Sequence, residues 1–230
     1  MNIDWNNINT VLLDMDGTLL DLHFDNFFWL EHLPQRFAER YNQHETQAKQ
    51  HLQQRFHREK GQLNWYCLDY WSTQLGLDIV ALKREIADKI TIRPHVEAFL
   101  RALQLSGREC ILVTNAHRDS LSLKMELAPI QPFFDAMVVS HDYGQAKEQA
   151  AFWPILQRHF GFDPQSTLLI DDTEAVLDAA RAYGIHHLLT LHQPDSRQAP
   201  RAALNYPAFL HFDEIMPPDA LNEADKPDAK

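Results

Sequence analysis

Two patterns of apolar and polar positions divide this chain. Val11-Leu12-Leu13, Cys110 to Val113, Ala136 to Val139, Thr167 to Ile170 and His187 to Leu191 are short and nearly continuously apolar, which predicts strands buried on both faces. Between them the apolar positions recur at helical spacing. Val96, Phe99, Leu100 and Leu103 form one stripe ending at Gly107, and further helices are expected over Asp119 to Leu127, Lys147 to His159 and Glu174 to Tyr183, the last stopped by Gly184. Strands alternating with helices predict an α/β fold with a parallel sheet covered on both sides.

The stretch from Asp21 to Thr91 follows the second pattern only. Phe24, Phe27 and Phe28, then Leu33, Phe37 and Tyr41, fall at helical spacing, with Pro34 expected to kink or divide the helix. A polar helix is expected over Glu45 to Lys60, closed by Gly61. Leu63, Cys67, Tyr70, Trp71 and Leu75 define one face of the next helix, and a short helix near Ile79 to Lys89 completes the block. The expected division is therefore an α/β core over 1–20 and 92–216, interrupted by an all-helical insertion at 21–91. Residues 217–230, rich in Pro, Ala and charge, are expected to be disordered.

Composition removes several functional classes. The formal charge of -11 argues against a nucleic-acid polymer as partner, since backbone binding needs a clustered basic surface. No apolar window approaches a membrane span, and the polar start MNIDWNNIN lacks the features of a signal peptide, so the expected location is cytoplasmic. Nothing points to an obligate protein partner. Cys67 and Cys110 sit in apolar periodic segments and are expected to be reduced core residues. His44, His51 and His57 are too widely spaced for a ligand pair, and His186-His187 face opposite ways on a strand, which argues against zinc. From Asp21 to Ile90 there are ten acidic against nine basic residues, so an anion meets a gentler field there than elsewhere.

The candidate chemistry lies at the strand ends. In an open parallel sheet, ligands bind outside the carboxyl ends of the strands. There the sequence places Asp14 and Asp16 after the first strand, Thr114-Asn115 after the second, Lys147 after the third and Asp171-Asp172 after the fourth. Any one of these alone is adequately explained as a turn or cap residue. Together, DMDGT, VTN, a lysine and IDD form an ordered series. Neighbouring buried carboxylates resist ionising together, and a hard cation such as Mg2+, which takes one or two carboxylates and shares itself with phosphate, gives them a purpose.

These motifs resemble those of the haloacid dehalogenase superfamily of aspartate-nucleophile phosphohydrolases, over about Val11 to Leu191. The resemblance implies a Rossmann-like core with strand order 3-2-1-4-5. It implies Asp14 as nucleophile, Asp16 as acid and then base, Thr114 and Lys147 as phosphate-stabilising groups, and Mg2+ held by Asp14, the Asp16 carbonyl and Asp172, with Asp171 in or near its outer shell. Ala146 and Glu148 flank Lys147 where many relatives have proline, so Lys147 is preferred to Lys124 on its position between strands.

The same resemblance makes the 21–91 block a helical cap that excludes water and reads the leaving group. LLDLHFDNFFW and LNWYCLDYWSTQLGLDI resemble the purine 5'-nucleotidases of this superfamily, and imply a small phosphate monoester such as GMP or IMP as substrate. Asn26 and Asn64 are candidates to read base or ribose, and Arg118 to contact phosphate, with helix caps and a solvated charge as the plainer readings. Most cap aromatics are expected to be core. Trp65 points away from the Leu63-Cys67-Tyr70-Trp71 face, so it is expected to be exposed or a platform for a planar group. The alternatives are a sugar-phosphate phosphatase or phosphomutase, a haloacid dehalogenase, and a non-catalytic nucleotide-binding protein.

Overall fold

Strands β1 (Thr10–Leu13), β2 (Glu109–Thr114), β3 (Ala136–Val139), β4 (Thr167–Ile170), β5 (His187–Leu191) and β6 (Ala208–Phe209) form one parallel sheet in the order β3-β2-β1-β4-β5-β6. The computed structural model describes residues 3–218. The order found therefore contains 3-2-1-4-5 and adds β6, which two residues are too short to announce by periodicity. Of the tail at 217–230, residues 219–230 lie outside the described residues.

β1 is central, its Leu13 level with Leu112 of β2 and Ile170 of β4. Successive side chains alternate between two cores. Val11 and Leu13 join Leu112, Ile170 and helices α7 (Val96–Leu105) and α8 (Arg118–Leu127), while Leu12 joins Ile111, Leu169, α9 (Phe152–Phe160) and α10 (Glu174–Tyr183). Each buried aliphatic side chain is worth about 1.5–3 kcal/mol. Cores on both faces explain why the strands read as continuous apolar runs. Cys110 is buried and Cys67 partly buried, and both are free thiols.

Between β1 and β2 lie helices α1 (His23–Phe27), α2 (Leu33–Tyr41), α3 (Glu45–Glu59), α4 (Leu63–Tyr66), α5 (Leu68–Leu75) and α6 (Ile79–Glu85). They share a third core of Phe24, Phe28, Leu52, Trp71 and Leu75, which meets the sheet layer through Leu123 of α8. The chain leaves and re-enters the sheet layer side by side: Leu20 pairs with Ile92, and the Asp21 amide donates to the Thr91 carbonyl at 3.0 Å.

Two helix boundaries differ from those expected, while the division at Pro34 is found: a wide π turn over Phe28–His32 separates α1 from α2 and accommodates the missing N–H of Pro34 in the first turn of α2. The helix expected over Leu63 to Leu75 is two helices, because Cys67 is extended (φ -84°, ψ 111°) and its sulfur caps α5 by accepting the Tyr70 amide. The helix expected from Lys147 starts at Phe152. Starting there, α9 holds Pro154 in its first turn, where no amide donor is needed. Among the described residues, no helix is long and apolar enough to cross a membrane.

Candidate active site

Asp14 extends β1 by one residue, its amide donating to the Ile170 carbonyl at 3.0 Å, and its carboxylate is buried beyond the last apolar layer. Lys147 meets it from the loop after β3. The ammonium has three donors and three acceptors: Asp14 Oδ1 at 2.6 Å, Asp171 Oδ2 at 2.7 Å and the Val113 carbonyl at 2.9 Å. The Lys147 amide donates to Asn115 Oδ1 at 2.9 Å, and the Trp153 indole donates to its carbonyl at 3.0 Å. The lysine is thus held at both backbone ends without being in a helix. Lys124, the alternative lysine, lies in α8 and does not join this cluster; it contacts Asp16 and Asp25 instead.

Carboxylate oxygens of Asp14, Asp171 and Asp172 lie within 4.8 Å of one another. Three acids against one lysine leave excess negative charge. Burial pushes the Asp14 carboxyl up to about 6, against the pull of Lys147 and with a further push from Asp171. Asp172 is held well above the carboxylate range by burial and by Asp14 and Asp171. Burial works against the Lys147 ammonium, but Asp14 and Asp171 outweigh it and hold its pKa above the ordinary lysine value.

The two neighbouring aspartates divide their contacts. Asp171 is engaged at both oxygens, by Lys147 and by the Thr173 amide at 2.9 Å. The Asp172 carboxylate accepts from the Thr173 hydroxyl at 3.3 Å, while its carbonyl accepts from Arg201 at 2.8 Å. Its carboxylate approaches Gly17 so closely that a β-carbon there would sit 2.7 Å from Asp172 Cγ. Gly17 also has φ +84°, so the glycine of DMDGT serves both the turn and the approach.

Thr114 is buried at the end of β2, its hydroxyl accepting the Ala116 amide at 2.9 Å. Asn115 donates to Glu148 Oε2 at 2.9 Å, and Tyr66 of the helical segment donates to the other Glu148 oxygen at 2.5 Å. Asp16 is partly buried and accepts from Lys124 at 2.6 Å. Burial pushes it up to about 6, with Lys124 opposing and Asp25 and Asp14 assisting.

These groups line a cavity of about 710 Å3 between the strand ends and the helical segment. Asp14, Asp16, Thr114, Asn115, Lys147, Asp171 and Asp172 form its floor, and Asn26, Trp29, Lys60, Trp65 and Tyr66 belong to the helical side. Asn26 is committed to Asp195 at 2.7 Å, and Asn64 to Glu59 at 3.2 Å. Trp65 is neither a lone exposed ring nor on a single long helix. It is half-buried in an aromatic cluster, 5.6 Å from Trp29 and 5.4 Å from Phe56, with one side toward the cavity. Arg118 is not brought to the site: it is largely exposed, pairs with Asp142 and is not among the cavity's lining residues.

Sequence reading missed Asp25, Lys83, Tyr66 and Glu148. Asp25 and Lys83 were hidden in helical stripes, while Glu148 was visible only as the neighbour of Lys147. Their roles depend on which segments meet.

The donor set fits a divalent cation. Asp14 Oδ2 is buried and accepts no hydrogen bond of ordinary geometry, and it lies in the three-carboxylate cluster that one lysine leaves incompletely neutralised.

Known proteins resemble this chain in sequence and in fold. Residues 8–184 match the family model for haloacid dehalogenase-like hydrolases. The chain is 40% identical over 217 residues to the GMP/IMP nucleotidase YrfG of Escherichia coli, covering 94% of this chain and 98% of that protein. Among solved structures, a HAD phosphatase from Thermococcus onnurineus superposes with a TM-score of 0.73 at 16% identity, covering 90% of this chain and 95% of that one. The HAD-hydrolase YfnB from Bacillus subtilis, bound to magnesium, superposes with a TM-score of 0.61 at 19% identity, covering 90% and 96%. At such identities the two structures speak to the fold alone. The chain belongs to the haloacid dehalogenase-like hydrolase family, and is an enzyme of the phosphoric monoester hydrolase class.

Proposed function

We propose that this enzyme hydrolyses purine nucleoside 5'-monophosphates, GMP or IMP, through a phosphorylated Asp14. The observation that carries the reading is the Asp14 carboxylate itself, anchored at Oδ1 by Lys147 and lining the floor of a cavity large enough for a nucleotide. Asp14 attacks phosphorus as the bond to the leaving oxygen breaks, and Asp16 gives that oxygen its proton. Asp16 then takes a proton from the water that cleaves the acyl phosphate. Lys147, Thr114 and nearby amides balance charge on the phosphoryl oxygens.

Asp14, the Asp16 carbonyl and Asp172 would hold Mg2+, with Asp171 fixing Lys147 and the Thr173 turn beside it. The cation supplies charge neutralisation at the phosphoryl group. The helical segment 21–91 works as the cap, and Trp29 and Trp65 offer the base an aromatic wall. The identity of the relative supports a purine nucleotide. The enzyme is expected to act in the cytoplasm on a free small molecule.

Phosphate release with Mg2+ from GMP, IMP, AMP, pyrimidine nucleotides and hexose phosphates tests this reading, with Asp14→Asn as the control. Release from GMP and IMP, lost on chelation, is expected. Release from hexose phosphates but not from purine nucleotides would turn the assignment toward a sugar-phosphate phosphatase.

A further inference from the structure

A second buried ion array stands beside the Asp14 cluster, and apart from Asp16 its members have no part in the chemistry described so far. Lys124, on α8, places Nζ 2.6 Å from Asp16 Oδ1 and 2.6 Å from Asp25 Oδ2. The other Asp25 oxygen takes the Lys83 ammonium at 2.7 Å. Lys124 and Lys83 are 1% and 2% exposed, so neither charge is there to meet solvent. The Phe24 ring lies under both, at 5.2 and 4.9 Å from the two nitrogens. The array also crosses a boundary: Asp16 and Lys124 belong to the sheet layer, whereas Asp25 on α1 and Lys83 on α6 belong to the helical segment.

Packing alone does not account for such an array, since apolar side chains of equal volume serve a core at least as well as a buried ion pair. Its geometry does suggest a use. A carboxylate that must present one oxygen to a leaving group and then to water needs its other oxygen held. Lys124 holds Asp16 Oδ1, leaving Oδ2 for the cavity that Asp16 lines. Lys124 is in turn held from the far side by Asp25, and Asp25 by Lys83.

We propose that Lys124 and Asp25 are positioning residues that aim Asp16, and that Asp25, carried by the helical segment, makes this aim depend on that segment being seated over the strand ends. The proposal rests on the acid and base role of Asp16. With α1 displaced, Lys124 keeps only one of its two carboxylates, and Asp16 is no longer held from a fixed point. Seating of the cap and readiness of the proton donor thus become one event, so that the donor is set when water is excluded.

The test uses leaving groups of different basicity with the full-length enzyme and Mg2+. An alkyl leaving oxygen, as in inosine 5'-monophosphate or ribose 5-phosphate, needs the Asp16 proton as the phosphorus–oxygen bond breaks. p-Nitrophenolate departs without one. Asp25→Asn and Lys124→Met are expected to lose about 100-fold in kcat/KM on the alkyl esters, mainly in kcat, and less than about threefold on p-nitrophenyl phosphate. An equal fall on both classes would show a structural role and overturn the proposal, as would no fall on either. A loss confined to KM would make Asp25 a substrate contact and likewise overturn it. The double variant Asp25→Asn with Lys83→Met removes one charge of each sign, and decides the matter where a single variant does not fold. Hydrolysis of ribose 5-phosphate but not of the nucleotide would remove the purine reading while leaving this test intact. Failure of the unaltered protein on every phosphate ester in the series would remove both.

Discussion

Lys147 holds Asp14 by one oxygen and leaves the other without a hydrogen bond of ordinary geometry, in a residue that lines the cavity floor. The same ammonium also holds Asp171, so one cation fixes two acids from different strands. Lys147→Met is expected to lower kcat/KM for phosphate monoesters by about 100-fold to 1,000-fold, the range for losing one strong electrostatic contact. It is also expected to lower Tm, because two buried carboxylates then lose their shared partner. Steady-state kinetics and a thermal melt of the same preparation check both effects.

The aspartate cluster should act against stability in the metal-free protein. Burial pushes Asp14 from 3.8 to about 6, so its charged form is less favoured folded than unfolded. For an acid raised in this way, the stabilisation of the protonated form is complete below 3.8 and is lost as the pH rises through about 6. Asp14→Asn removes that penalty. Without metal at pH 7.5 the variant is expected to be more stable by about 1–3 kcal/mol, an advantage that shrinks as the pH falls from 6 toward 4. Melts across this range, with and without Mg2+, give the comparison. Added Mg2+ should narrow the gap by stabilising only the protein that retains Asp14.

Gly17 is expected to tolerate no side chain. Alanine there must adopt φ +84° and would put its β-carbon 2.7 Å from Asp172 Cγ. The backbone strain alone costs about 1–2 kcal/mol. Displacement of Asp172 should also weaken Mg2+ binding, so a calorimetric Mg2+ titration of Gly17→Ala is expected to show lower affinity than the unaltered protein. Equal affinity would remove Asp172 from the proposed cation site.

Trp65 offers a test of the nucleotide reading on the helical side. Trp65→Ala is expected to raise KM for GMP and IMP about tenfold, as one aromatic contact is lost, and to leave p-nitrophenyl phosphate hydrolysis within about twofold. A rise in KM for ribose 5-phosphate of the same size would mean that Trp65 supports the cavity wall rather than a base.

The strand ends were legible because a parallel sheet imposes a rule: buried strands must be apolar on both faces, so polar residues at their carboxyl ends stand out. DMDGT, VTN and IDD were visible for that reason, and the arrangement of β1, β2 and β4 then brings their ends together. Lys147 was harder to place. It lies in a loop rather than at a helix start, and its ammonium and amide are held by Asp14, Val113, Asp171 and Asn115, all distant in sequence. Arg118 misled because adjacency to Thr114-Asn115 suggested a contact, whereas the first turn of α8 turns it toward Asp142.

Periodicity and local polarity are properties of neighbouring residues, and they suffice for the alternating α/β core, the helical segment after the first strand and the acids at the strand ends. Which charges meet is a matter of packing between segments. Asp25 with Lys124, Tyr66 with Glu148, and Asp171 with Lys147 all meet across segments far apart in the chain. Buried charge is paired by the geometry of packing, and no local pattern encodes that geometry.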